Sequence, residues 1–179
     1  MGHGNAVRPR VVAVGAGAVL TCALVPGTAH ADPDHSDWMR PAPIPPVAAV
    51  ASEPLARGAA GEFAIQDRET GVRVAATEPT DVVLVRATLP PESSTGWHRH
   101  AGPSVVVVNS GTLRMVAPQH GDGHGCSEET FASGTAFAHP SSTHTFANDG
   151  PEPLVFSIVY FVPEGASPAP IPADPPHGC

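Results

Sequence analysis

Lysine is absent from this chain: all nine positive side chains are arginines, set against 17 aspartates and glutamates, and the net charge is −8. So little positive charge argues against nucleic acid or an anionic membrane surface as partner, since both are bound through clustered cationic side chains. Long apolar runs are missing too. The stretch from Val11 to Val25 has 15 residues, short of the roughly 20 that span a bilayer. No window keeps a 3.6-residue apolar period over a helical length, which argues against a helical domain. Finally, no acidic residue precedes Asp32.

What stands in that acid-free segment is ordered in three parts. Arg8 and Arg10 are followed by the apolar run, and Ala29 and Ala31 form an A-x-A site. This is the layout of a secretory signal over residues 1–31, cleaved after Ala31; the alternative, a membrane anchor, meets the length shortfall. The expected location is secreted or extracytoplasmic, with no membrane contact after cleavage. Removal of 31 residues leaves 148, the size of one domain, with seven arginines against 17 acidic side chains, a balance of −10.

Cysteine is scarce as well. Of three, Cys22 lies within the apolar run and is discarded with it, leaving Cys126 and Cys179. In an exported chain an even pair reads as a disulfide, with two free thiols as the alternative. Such a bond would tie down the C-terminal tail, residues 166–179, and closing a loop of about 50 residues stabilises by roughly 3 to 4 kcal/mol in the chain-entropy account.

Residues 32–52 are rich in proline and alanine, with Pro41, Pro43, Pro45 and Pro46 close together. They read as an extended or disordered lead-in, because proline fixes φ and removes backbone donors. From Glu53 to about residue 165 the pattern becomes that of an all-β domain. Short β-branched or aromatic runs occur at 63–65, 71–75, 81–89, 105–108, 112–116, 129–132, 135–138, 144–147 and 154–162. Turn signals such as Asn109-Ser-Gly and Asn148-Asp-Gly-Pro separate them. The spacing predicts a barrel or sandwich. Val82–Val85 and Val105–Val108 are apolar throughout, as expected of strands covered on both faces or facing a second sheet or subunit.

The chemistry sits where these runs meet histidine. On an extended chain residues i and i+2 share a face, so His98 and His100 can aim at one point while Trp97 and Arg99 face away. Two imidazole nitrogens so placed can serve a divalent ion at about 2.1 Å. H-x-H alone is a weak signal. A third histidine, His144, strengthens it by standing at another strand start, behind Pro140 and ahead of Asn148.

In these residues the chain resembles the cupin superfamily. Gly96, His98, His100 and Gly111 fit the family's first motif; Gly134, Pro140, His144 and Asn148 fit its second, with a turn one residue shorter than usual. The resemblance spans about Glu62 to Val162. It implies an all-β, antiparallel double-sheet barrel of jelly-roll type, six- to eight-stranded, with a divalent metal inside held by His98, His100 and His144. The departure is Ser104, where cupins usually carry a glutamate as fourth ligand. A neutral three-histidine site leaves the ion its full charge and open positions for water, dioxygen or an anionic ligand. Cupin oxygenases acting on thiols or catechol-like acids resemble this pattern; the opposite reading is that losing the glutamate marks losing the metal.

Other residues have plainer expectations. His139, beside a turn, is expected in solvent rather than at the site. His120 and His124 belong to a glycine-rich surface loop next to Cys126. Trp97 is expected at the barrel mouth and Arg99 outside. Arg86 and Arg114 either face water or enter the cavity to hold an acidic ligand, and Tyr160 lines or fills the pocket. Two functions follow. One is a metal-dependent enzyme, an oxygenase or isomerase, using iron, zinc, manganese or copper. The other is an exported, non-catalytic binder of a small molecule. A homodimer through an outer sheet face is implied by the resemblance alone.

Overall fold

The computed structural model describes residues 42–119 and 125–179. Residues 1–31, read above as a secretory signal, the start of the proline-rich stretch, and His120 and His124 lie outside the described residues. Among the described residues eleven strands follow one another: β1 (Ala51–Gln66), β2 (Arg73–Leu89), β3 (Ser93–Ser94), β4 (His98–Arg99), β5 (Ser104–Ser110), β6 (Thr112–Pro118), β7 (Cys126–Ala132), β8 (Ala136–His139), β9 (Thr145–Asn148), β10 (Leu154–Pro163) and β11 (Ile171–Pro172). A five-stranded sheet runs β1-β2-β10-β5-β8, a four-stranded sheet runs β3-β9-β6-β7, and β11 pairs with β4. Every strand pair is antiparallel. The fold is the expected all-β, double-sheet barrel.

Its core is the inner face of both sheets. Val83, Val85, Ala87 and Leu89 of β2 meet Phe156, Ile158 and Tyr160 of β10 and Val106 and Val108 of β5, with Leu113 and Phe146 from the facing sheet. Phe146 and Phe156 pack edge to face at 5.7 Å, an arrangement worth about 0.5–1.5 kcal/mol beyond its buried area. The all-apolar runs hide an ordinary alternation. Val106 and Val108 are 1% exposed while Val107 is 37% exposed, and Leu84 reaches 37% between buried Val83 and Val85. These strands are covered on one face, and their outer face keeps an apolar stripe.

β1 begins earlier and runs longer than its sequence suggests. It is an edge strand paired only with β2, and its side chains from Ala51 to Ala60 are all exposed, so no hydrophobic alternation announces it. Backbone pairing fixes most of it, with register shifts after Pro54, Ala59 and Gly61; bulges and prolines of this kind blunt a sheet edge. Arg57 anchors it by an ion pair to buried Asp81, which also accepts from the Gly165 N–H at 2.9 Å.

The described end of the proline-rich stretch runs extended along the barrel. Ala48 N–H donates to Ser94 O and Ser94 N–H to Pro46 O, at 3.0 and 2.8 Å. Arg114, 7% exposed, donates to the carbonyls of Ala42 and Pro43 and to Glu128 and Asp149. It therefore neither faces water nor enters the cavity. Gly102 marks the tightest crossing: a Cβ there would lie 1.9 Å from the Phe161 carbonyl oxygen, so only glycine lets the chain pass β10 just before β5.

The motif asparagine, Asn148, is a structural clasp. Its side chain, 1% exposed, donates to the carbonyls of Leu89, Pro90 and Glu152 and accepts from Gly150 N–H. Asn148→Ala strands these groups, and chemical denaturation should show a loss of about 2–4 kcal/mol, in line with unsatisfied buried polar groups.

Candidate metal centre

The three histidines are brought together by backbone pairing before any side chain acts. His98 and His144 form a two-way bridge, each N–H donating to the other's carbonyl at 2.9 Å. That register sets both rings on the inner side, and His100 follows two residues on. Ring centroids lie 4.3 Å apart for His98 and His144, 4.9 Å for His98 and His100, and 5.5 Å for His100 and His144. One nitrogen from each lies within 4.8 Å of the other two. All three side chains are buried, His144 completely.

Their tautomers follow from their partners. His98 Nδ1 donates to Gly96 O at 2.9 Å, His100 Nδ1 to Pro168 O at 3.0 Å, and His144 Nδ1 to Ser142 O at 2.9 Å. A carbonyl only accepts, so each Nδ1 carries the proton and each Nε2 presents a lone pair. Carbonyl support of the distal nitrogen is the usual way metal-binding imidazoles are oriented. Gly96, at φ +70°, turns its carbonyl toward His98 in a backbone region that side chains disfavour. His144 Nε2 is buried with no hydrogen-bond partner, a costly state unless something binds there.

Burial also keeps the rings neutral. It lowers the pKa of His98; His100 falls to about 4 through burial and then the charge on His98, and His144 to about 2 through burial and then His98. No proton competes for the lone pairs at neutral pH, which favours metal binding.

Ser104 stands where the cupin resemblance implies a fourth ligand. It is buried at 5% and pairs in register with Tyr160 on β10 and with His139 on β8. His139 is therefore not in solvent as expected. Its register with Ser104 turns it inward, 4% exposed, with its ring 3.9 Å from that of His144. It lies outside the group of three converging nitrogens. Phe137 and His139 share a face by period-two alternation, and that was the available signal. Tyr160 is buried, with its ring 4.8 Å from His100, and burial pushes its hydroxyl pKa up; it remains a protonated donor.

Beside the triad is a cavity of about 80 Å³ lined by His98, His100, Thr95, Tyr160, Phe156 and Pro170, among others, with no Asp, Glu or Arg among the described residues of its wall. Arg86 is on the surface 3.6 Å from Glu53, and Arg99 is exposed. The sequence did not foretell that the tail builds this site. Pro168 and Pro170 come from residues 166–179, and nothing in their composition names the ring they meet.

Two sheets in this order and three converging histidines are the double-sheet barrel and the histidine cluster that the cupin resemblance implies. No protein-family model and no curated protein matches the chain. Among solved structures it is similar to the oxalate decarboxylase of Lactobacillus farciminis in a formate complex, with 18% identity over 51% of this chain and 26% of that one, TM-score 0.44. It is similar also to the oxalate decarboxylase of Bacillus subtilis at pH 4.6, with 26% identity over 44% and 21% and a TM-score of 0.40. The chain thus spans about a quarter or less of these proteins' length.

Stability should depend on pH in a defined direction. A histidine whose folded pKa is depressed binds its proton more readily when unfolded, so protonation favours the unfolded chain. With His100 and His139 near 4 against 6.5, the metal-free protein should hold its melting temperature above pH 6.5 and lose it steadily from there toward pH 4. A flat profile across that window in a thermal melt series would contradict the buried, neutral cluster.

Proposed function

We propose that this protein holds a divalent metal ion through the Nε2 atoms of His98, His100 and His144 and takes a small organic anion beside it. The observation that carries this reading is the buried, partnerless His144 Nε2 within a triad whose Nδ1 atoms are all committed to carbonyls. Iron, zinc, manganese and copper all suit imidazole donors. Bound there, such an ion supplies a Lewis acid with open positions. The cavity wall carries no charged side chain, so an anion's charge would be met by the ion, while Thr95 and the Tyr160 hydroxyl offer polar contacts.

The same wall favours binding over proton-transfer catalysis. No carboxylate lines the cavity, and the raised pKa of Tyr160 makes its hydroxyl a donor rather than a base. Oxygenase-type chemistry, which needs no protein base for the redox step, is the catalytic form of this reading. Export belongs to it as well: the Cys126–Cys179 disulfide suits an oxidising compartment, and no helix among the described residues is long and apolar enough to cross a membrane. A homodimer would use the outer face of the five-stranded sheet, where Leu84 and Val105 flank Val159 in register; a doubled mass in sedimentation would support it and a single-chain mass would oppose it.

Elemental analysis of tag-free protein tests the central point. About one metal per chain is expected, falling below about 0.2 in His98→Ala and His144→Ala, since three protein donors are the least that hold such an ion tightly. Wild-type protein at that lower level after incubation with each of the four metals would overturn the reading.

A further inference from the structure

The C-terminal segment reaches the metal centre at four points. Pro168 O accepts from His100 Nδ1 at 3.0 Å across 68 residues of sequence. Pro170 is part of the cavity wall. β11 pairs with β4 so that Ile171 lies opposite Arg99 and Pro172 opposite His98, and Ala173 N–H donates to Trp97 O at 3.0 Å. The segment thus covers β4, which carries His98, and the residue next to it, His100.

What holds the segment there is thin. Residues 166–179 contain no fully buried side chain; Ala166 packs at the edge of the core and Ile171 keeps 38% of its surface exposed. Apolar burial, the term that fixes most of the barrel, is therefore small here. A few backbone hydrogen bonds remain, and each contributes little net in water. The far end is fixed covalently, by the disulfide from Cys179 to Cys126 at the start of β7. A covalent tether makes re-docking intramolecular and keeps a weakly held segment in place through a high effective concentration.

We propose that residues 166–179 are a tethered lid on the three-histidine centre: the lid orients His100 through the Pro168 carbonyl, closes the cavity with Pro170, and opens when the Cys126–Cys179 disulfide is reduced. The reductant is a dithiol: its two thiols pass two electrons and two protons to the cystine, which becomes two thiols, while the dithiol leaves as its own disulfide. With the tether cut, the segment frays, His100 loses its orienting carbonyl, and the cavity opens beside it. The proposal rests on the metal reading above.

The test compares oxidised protein, protein reduced by a phosphine, which takes up water's oxygen as the thiols form, and a Cys126→Ser, Cys179→Ser variant. Each is loaded with zinc, and its release to a chromogenic chelator is timed; circular dichroism and amide exchange at Ala173 accompany the kinetics. Release about 10- to 100-fold faster in both untethered forms, the range for losing a ligand's supporting partner, with faster exchange at Ala173 and an intact barrel spectrum, is the expected result. Equal release rates with an intact barrel overturn the lid alone. Loss of the whole β signal overturns it too, because the bond would then be holding the barrel. Failure of the oxidised protein to take up zinc overturns the metal reading, and exchange at Ala173 then decides whether the segment still opens on reduction.

Discussion

The rest of the site depends on the two-way backbone bridge between His98 and His144. These residues are 46 apart in sequence, and each reaches the bridge from its own turn, one governed by Gly96 and the other by Pro140. Once the bridge forms, the pleat decides where both imidazoles point, and His100 follows two residues later. No side-chain contact is needed to bring the rings together. The three carbonyls of Gly96, Ser142 and Pro168 then fix ring rotation and tautomer. Preorganisation here is a property of the main chain, and the hydrophobic core serves it by holding the two sheets in register.

Much of this was legible beforehand, for identifiable reasons. The i, i+2 spacing of His98 and His100 survives as a shared face because strands alternate rigidly. His144 could be added because its glycine, proline and asparagine frame specifies a turn. Strands whose inner residues are Val, Leu or Phe declared themselves. β1 did not from Ala51 to Ala60, because an edge strand with every side chain in solvent has no pattern to show. His139 was misplaced because nearness to a turn outweighed its alternation with Phe137. Arg114 was misjudged because its burial depends on Asp149, Glu128 and two carbonyls that only the folded chain assembles. The tail's role was invisible because its contacts are made by backbone atoms, which carry no residue-specific signal.

The cavity and its surroundings divide the work of recognition. An uncharged wall gives little affinity to a free anion, so ion and ligand would bind as a unit, each offsetting the other's desolvation. Ser104 contributes by what it omits: a glutamate there would bring its own negative charge to the ion. On the proposed metal reading the serine would leave that charge to be supplied from outside; Tyr160 and His139 are its neighbours in register.

Arg114 gives the molecule an unequal response to acid. All five of its N–H donor directions are taken up by Asp149, Glu128 and the carbonyls of Ala42 and Pro43; an ammonium group, with three donors, could not span them. Its own pKa is raised, and its hydrogen bonds hold Asp149 below the ordinary carboxylate value, so this clamp stays charged in mildly acidic solution where the buried imidazoles begin to take up protons. Acidification would thus loosen the histidine cluster first, while the chain's attachment to β6 at Arg114 stays fastened.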